Sequence, residues 1–73
     1  MAARNVSSTT AGVVASVEKR VGDAVAVDEV VLVIECMKVE IPIVAPMAGR
    51  LTRLAVAVGD TVAEQQVIFA IQP

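Results

Sequence analysis

The chain has 73 residues, a formal net charge of −2, and a composition that is 56% hydrophobic but only 1% aromatic. That length allows one domain, expected over 1–73, at the small end of what folds alone. One cysteine (Cys36) and no histidine exclude a disulfide and a zinc-type cluster, and net acidity without a basic cluster excludes a nucleic-acid surface.

Taken in chain order, residues 1–10 lack the apolar core of a signal peptide. The expectation is a soluble cytoplasmic protein, and a single free thiol fits a reducing compartment. Gly12 opens an extended, valine-rich stretch. Val and Ile favour strands because their branched carbons fit a pleated surface. Gly22-Asp23 predicts a turn, since Gly supplies positive φ and Asp bonds its own backbone. A strand follows over 30–35. Its apolar run, Val30 to Ile34, is far too short to span a bilayer. Pro46 and Gly49 predict a bend into a second half, with Met47 as a packing residue. Gly49 opens another extended stretch, Gly59-Asp60 another turn, and 67–72 another strand. A helix over 54–67 is rejected because Gly59-Asp60 and β-branched residues interrupt it. The expected fold is all-β, with seven or eight short strands in two packed sheets.

The second half repeats the first. A shift of 37 residues lays 11–35 on 48–72, with nine of 25 positions identical. Ala11-Gly12 falls on Ala48-Gly49, Val21-Gly22-Asp23 on Val58-Gly59-Asp60, and Val25-Ala26 on Val62-Ala63; Val30 and Ile34 fall on Val67 and Ile71. Two copies are too few for a solenoid, so they predict a closed or sandwiched domain with a pseudo-two-fold axis. The repeat halves are about 5–36 and 40–73. The junction between them is Met37-Lys38, and its symmetry mate is the gap between the chain ends. Both ends are therefore expected at the tip opposite Lys38, which leaves that tip free of anything attached to them.

A two-residue turn at Met37-Lys38 would set Cys36 opposite Val39, Ile34 opposite Ile41 and Leu32 opposite Ile43. That gives one wholly apolar, core-facing side. The other side would set Glu35 opposite Glu40 and Val33 opposite Pro42. Pro42 cannot donate to a ladder, which predicts an edge strand. Two local rules are broken here. Tight hairpin turns prefer Asn-Gly or Gly-X, and facing carboxylates repel. On the residues alone, two readings of Lys38 stand: a surface lysine neutralising two glutamates, or a chemical handle. A free lysine titrates near pH ~10.4 and is a poor nucleophile until another protein deprotonates it. With no histidine in the chain, a handle would be the substrate of a modifying enzyme. Met37 would then be an adaptable contact for that enzyme.

Glu35-Cys36-Met37-Lys38-Val39-Glu40 resembles the biotin-attachment motif, usually Glu-Ala-Met-Lys-Met-Glu. Ile41-Pro42-Ile43-Val44-Ala45-Pro46-Met47-Ala48-Gly49, Val58-Gly59-Asp60-Thr61-Val62 and Val21-Gly22-Asp23 match the same pattern. The resemblance covers residues 11–72 and points to the biotinyl/lipoyl carrier domains, most like a small free-standing biotin carboxyl carrier. It implies a flattened barrel of two four-stranded antiparallel sheets. It also implies covalent biotin on Lys38, attached as an amide by a biotin-protein ligase. Glu35, Cys36, Met37, Val39 and Glu40 would be the flank that the ligase recognises. The implied partners are biotin carboxylase and carboxyltransferase subunits, between which the domain carries a carboxyl group without catalysing anything itself. The domain alone is expected to be monomeric. Cys36 stands for the usual Ala, and Val39 for the usual Met. Lipoyl domains typically show Asp-Lys-Ala or Asp-Lys-Val at this turn. Met37 is therefore biotin-like, and Val39 neutral or slightly lipoyl-like. Residues 12–30 lack the thumb insertion of some carriers, and no Pro-rich linker is expected ahead of the domain.

Two alternatives stay open: a lipoyl carrier for acyl or aminomethyl transfer, and an unmodified interaction module. Cys36 is read as a small apolar residue beside the turn rather than a redox site. Asp23 and Asp60 are read as turn formers rather than metal ligands. No catalytic site is expected, since nothing near Glu35 and Glu40 completes an acid–base pair.

Overall fold

Eight strands follow the punctuation of the sequence in a computed structural model that describes residues 3–73. Residues 1–2, the start of the expected 1–73 domain, lie outside the described residues. The strands are β1 (Arg4–Ser7), β2 (Gly12–Val17), β3 (Ala24–Val25), β4 (Val30–Cys36), β5 (Val39–Val44), β6 (Gly49–Leu54), β7 (Thr61–Val62) and β8 (Val67–Gln72). β4 runs one residue beyond the expected Glu35, because Cys36 still pairs with Val39. No helix occurs among the described residues.

Two four-stranded antiparallel sheets form, in the orders β1-β8-β6-β3 and β5-β4-β2-β7. Adding four to each strand number turns the first order into the second, so the repeat is a structural two-fold. It extends to single bonds. Gly22 N–H donates to the Leu51 carbonyl at 2.7 Å, and Gly59 N–H donates to the Val14 carbonyl at 2.9 Å. Asp23 Oδ2 accepts from Arg20 N–H at 2.9 Å, and Asp60 Oδ2 accepts from Ala57 N–H at 2.9 Å. Gly22 and Gly59 have φ of 100° and 94°, a region open to glycine at little cost. Both aspartates thus close turns.

The core lies between the sheets. Val14, Leu32, Ile34, Leu51, Ile68, Phe69 and Ile71 are buried there, with Met47 packed against its margin. Simple alternation fails at two related places. Val31 and Leu32 are both buried, as are Ile68 and Phe69. Register shifts occur there, between Val30 and Leu32 against β5 and between Ser7 and Val6 against β8. A bulge inserts one residue and lets two neighbours turn inward.

The molecule measures 36 × 17 × 17 Å. Four strands at about 4.8 Å spacing span roughly 14 Å, so the long dimension lies along the strands. β1 starts at Arg4 beside Ile71 and ends at Ser7 beside Val67. The chain then crosses through residues 8–11 to Gly12, which packs against Ile34 and Glu35. The start of β8 therefore shares an end with the β4–β5 turn, and Arg4 and Gln72 lie at the other end.

Candidate functional site

The β4–β5 hairpin has the register that the sequence predicts. Leu32 pairs with Ile43, Val33 with Pro42, Ile34 with Ile41, Glu35 with Glu40, and Cys36 with Val39. β5 is an edge strand, as Pro42 requires. One expectation is corrected. The Cys36–Val39 end of the apolar side does not face the core: Val39 is 59% exposed and Cys36 half-buried. The hairpin projects past the last core pair, Ile34–Ile41, so its final rung is only partly covered.

Met37 and Lys38 close the turn with φ of 52° and 65°. Positive φ at both central residues is the type I′ pattern, whose twist matches that of the flanking strands. Neither residue is glycine, asparagine or aspartate, so the left-handed backbone is strained at both. Met37 is 92% exposed. Lys38, Glu35 and Glu40 are exposed as well. None of these three has an ion-pair partner within 4 Å among the described residues.

The base of the hairpin is rigid. β4 is an interior strand, bonded to β5 on one side and β2 on the other. Gly12 begins β2 against the end of β4. A Cβ there would overlap the Glu35 carbonyl and come within 2.7 Å of Ile34 Cγ2. Only a hydrogen fits, and that lets β2 close against the strand leading to Lys38. The sequence marks Gly12 only as a strand opener; its match to Gly49 is the signal for the packing. Gly49 meets Ile71 Cγ2 and the Gln72 carbonyl in the same way.

Among the described residues no group of three or more His, Cys, Asp or Glu is placed to hold a metal, and no cavity indents the surface. An exposed primary amine on a stiff base suits covalent attachment of a cofactor. Cys36 is a free thiol one rung from the turn. The Lys19–Glu29 ion pair, with Nζ 2.6 Å from Oε2, is a feature that sequence reasoning missed.

The family model for biotin- and lipoyl-bearing domains, described as "Biotin-requiring enzyme", matches residues 3–71. The chain belongs to the biotin/lipoyl attachment domain family. Domains of this family are carriers. The curated relatives span both cofactors. Over 60 residues, 82% of this chain, it is 38% identical to the dihydrolipoyllysine-residue acetyltransferase component of the pyruvate dehydrogenase complex of Mycoplasma genitalium. Over 50 residues, 68% of this chain, it is 38% identical to the Mycobacterium leprae homolog of biotinylated protein TB7.3. The chain spans 16% of the first protein's length and 70% of the second's. Among solved structures, the urea carboxylase of Kluyveromyces lactis superposes with a TM-score of 0.92 and 26% identity, over 99% of this chain and 6% of that one.

Proposed function

We propose that this domain carries biotin in amide linkage on Lys38, and that it serves a biotin carboxylase and a carboxyltransferase. The observation that carries the reading is an exposed lysine at the apex of a strained type I′ turn, with the biotin-type Met37 before it. Carboxylase partners are supported by the likeness to the urea carboxylase, and biotin by the biotinylated relative, of which the chain spans 70%.

Attachment needs the neutral amine. A biotin-protein ligase would take the ammonium proton, and Nζ would attack the acyl carbonyl of biotinyl-adenylate. The C–N bond forms, the C–O bond to the adenylate breaks, and AMP leaves. Bound biotin supplies carboxyl transfer; the protein supplies position. β4 and its two neighbours fix the base, while the rotatable bonds of Lys38 let the end of the side chain sweep. Such a tether raises effective concentration at each partner site without release into bulk. Arg4 and Gln72 lie at the far tip, which leaves this one free for partners.

A second reading, lipoate on the same lysine, is favoured by Val39 and by the lipoyl relative at equal identity. Co-expression with a biotin ligase or a lipoate ligase, followed by intact mass, separates the two. The proposal expects the biotin adduct and no lipoyl adduct. The reverse result would establish the second reading.

A further inference from the structure

The chain contains two lysines, Lys19 and Lys38, in opposite circumstances. Lys38 stands free at the hairpin tip. Lys19 lies in the loop after β2, its side chain 23% exposed and its Nζ 2.6 Å from Glu29 Oε2. The other carboxylate oxygen of Glu29 accepts from Ala26 N–H at 2.9 Å. Glu29 is thus held by the backbone while it holds the ammonium.

The two-fold shows that this charge is not needed for the fold. The mate of Glu29 is Gln66, whose Oε1 accepts from Ala63 N–H at the same 2.9 Å. The mate of Lys19 is Val56, a buried aliphatic residue. The loop needs one carbonyl-type oxygen, and a neutral amide supplies it equally well. The carboxylate does something further. Its hydrogen bond to Lys19 raises that lysine's pKa, against a lowering by burial and with help from the charges of Glu29 and Asp23.

We propose that Glu29 is a specificity residue for acylation: it masks Lys19, so that an activated acyl donor reacts at Lys38 in preference to Lys19. The inference rests on the reading of Lys38 as the acylated residue. Acylation requires a neutral Nζ with its lone pair free. The amine forms a C–N bond to the acyl carbon, the bond to the leaving alcohol or adenylate breaks, and one proton passes to solvent. Lys19 can enter that sequence only after leaving Glu29 and losing its proton; Lys38 needs only the second step. Freely diffusing acyl-adenylate, lost from a ligase, would therefore be captured at Lys38 more often than at Lys19.

The test uses the intact domain and limiting biotin N-hydroxysuccinimide ester at neutral pH, with the two lysines quantified by peptide mass spectrometry. Wild type is expected to label Lys38 faster than Lys19 by about threefold or more. In Glu29→Gln, which keeps the bond to Ala26, Lys19 labelling should rise by about two- to fivefold while Lys38 is unchanged. Salt near 1 M, where the screening length is about 3 Å, should raise Lys19 labelling in the wild type without any substitution. Equal labelling of the lysines in the wild type, or an E29Q variant with unchanged Lys19 labelling, would overturn the proposal. The chemical ester bypasses every ligase, so a failure of enzymatic biotinylation at Lys38 would show up separately, as a ligase-treated sample without adduct.

Discussion

Met37 and Lys38 adopt left-handed backbone conformations side by side, with φ of 52° and 65°. Left-handed geometry costs a non-glycine L-residue roughly 1–2 kcal/mol. The turn therefore keeps two side chains that its backbone disfavours. Replacing Met37 by Asn, which tolerates this region, should stabilise the domain by about 0.5–1 kcal/mol. The urea midpoint would rise at constant slope. Lys38→Gly should also stabilise, and it removes the amine. A midpoint that falls in both variants would mean the turn is not strained.

Gly12 and Gly49 are structural equivalents with different neighbours. Each lies where a Cβ would overlap a carbonyl, that of Glu35 or that of Gln72. Gly12→Ala and Gly49→Ala should each destabilise by about 1–3 kcal/mol through overpacking. Only Gly12→Ala displaces the strand leading to Lys38, so only it should slow modification by a ligase. Equal loss of modification in both variants would show that overall stability, not local packing, governs the tip.

The core of so small a domain has little reserve. Ile34 is fully buried and is the last core residue before the hairpin tip. Ile34→Ala should cost about 2–5 kcal/mol, a large share of a total stability of about 5–15 kcal/mol. Thermal unfolding would register this as a much lower midpoint. A shift of only a degree or two would contradict the packing described.

The Lys19–Glu29 pair makes stability depend on pH at both extremes. The Glu29 pKa is lowered, chiefly by the hydrogen bond from Lys19 and then by the Ala26 N–H. Its contribution is present above the unfolded carboxylate pKa of about 4.3 and is lost as pH falls through the lower folded value. The Lys19 pKa is raised. Its contribution is present below the unfolded pKa of about 10.4 and is lost as pH rises through the higher folded value. Denaturation midpoints of wild type and E29Q should therefore converge at both ends of the range and differ most between them. A constant difference from acid to alkali would remove the pair as the cause.

Much of this fold is legible in the sequence because the same signals occur twice. Gly22-Asp23 and Gly59-Asp60 each mark a turn, and Ile34 and Ile71 each mark a core strand. The hairpin register follows from Pro42 and from the apolar pairs beside it. Three things escape. Val31 and Ile68 turn inward at bulges, and a bulge leaves no mark in an unbroken run of apolar residues. Val39 is exposed because the hairpin overhangs the core, and alternation gives facing but not depth. Lys19 pairs with Glu29 ten positions on, beyond β3, a contact that depends on how the turns between them close.

The central claim is that Lys38 is the attachment point. Its most direct measurement is the intact mass of wild type and Lys38→Ala after co-expression with a biotin ligase. The account predicts one biotin adduct on the wild type, none on Lys38→Ala, and the same unfolding cooperativity for both. A biotin adduct persisting on Lys38→Ala would contradict it.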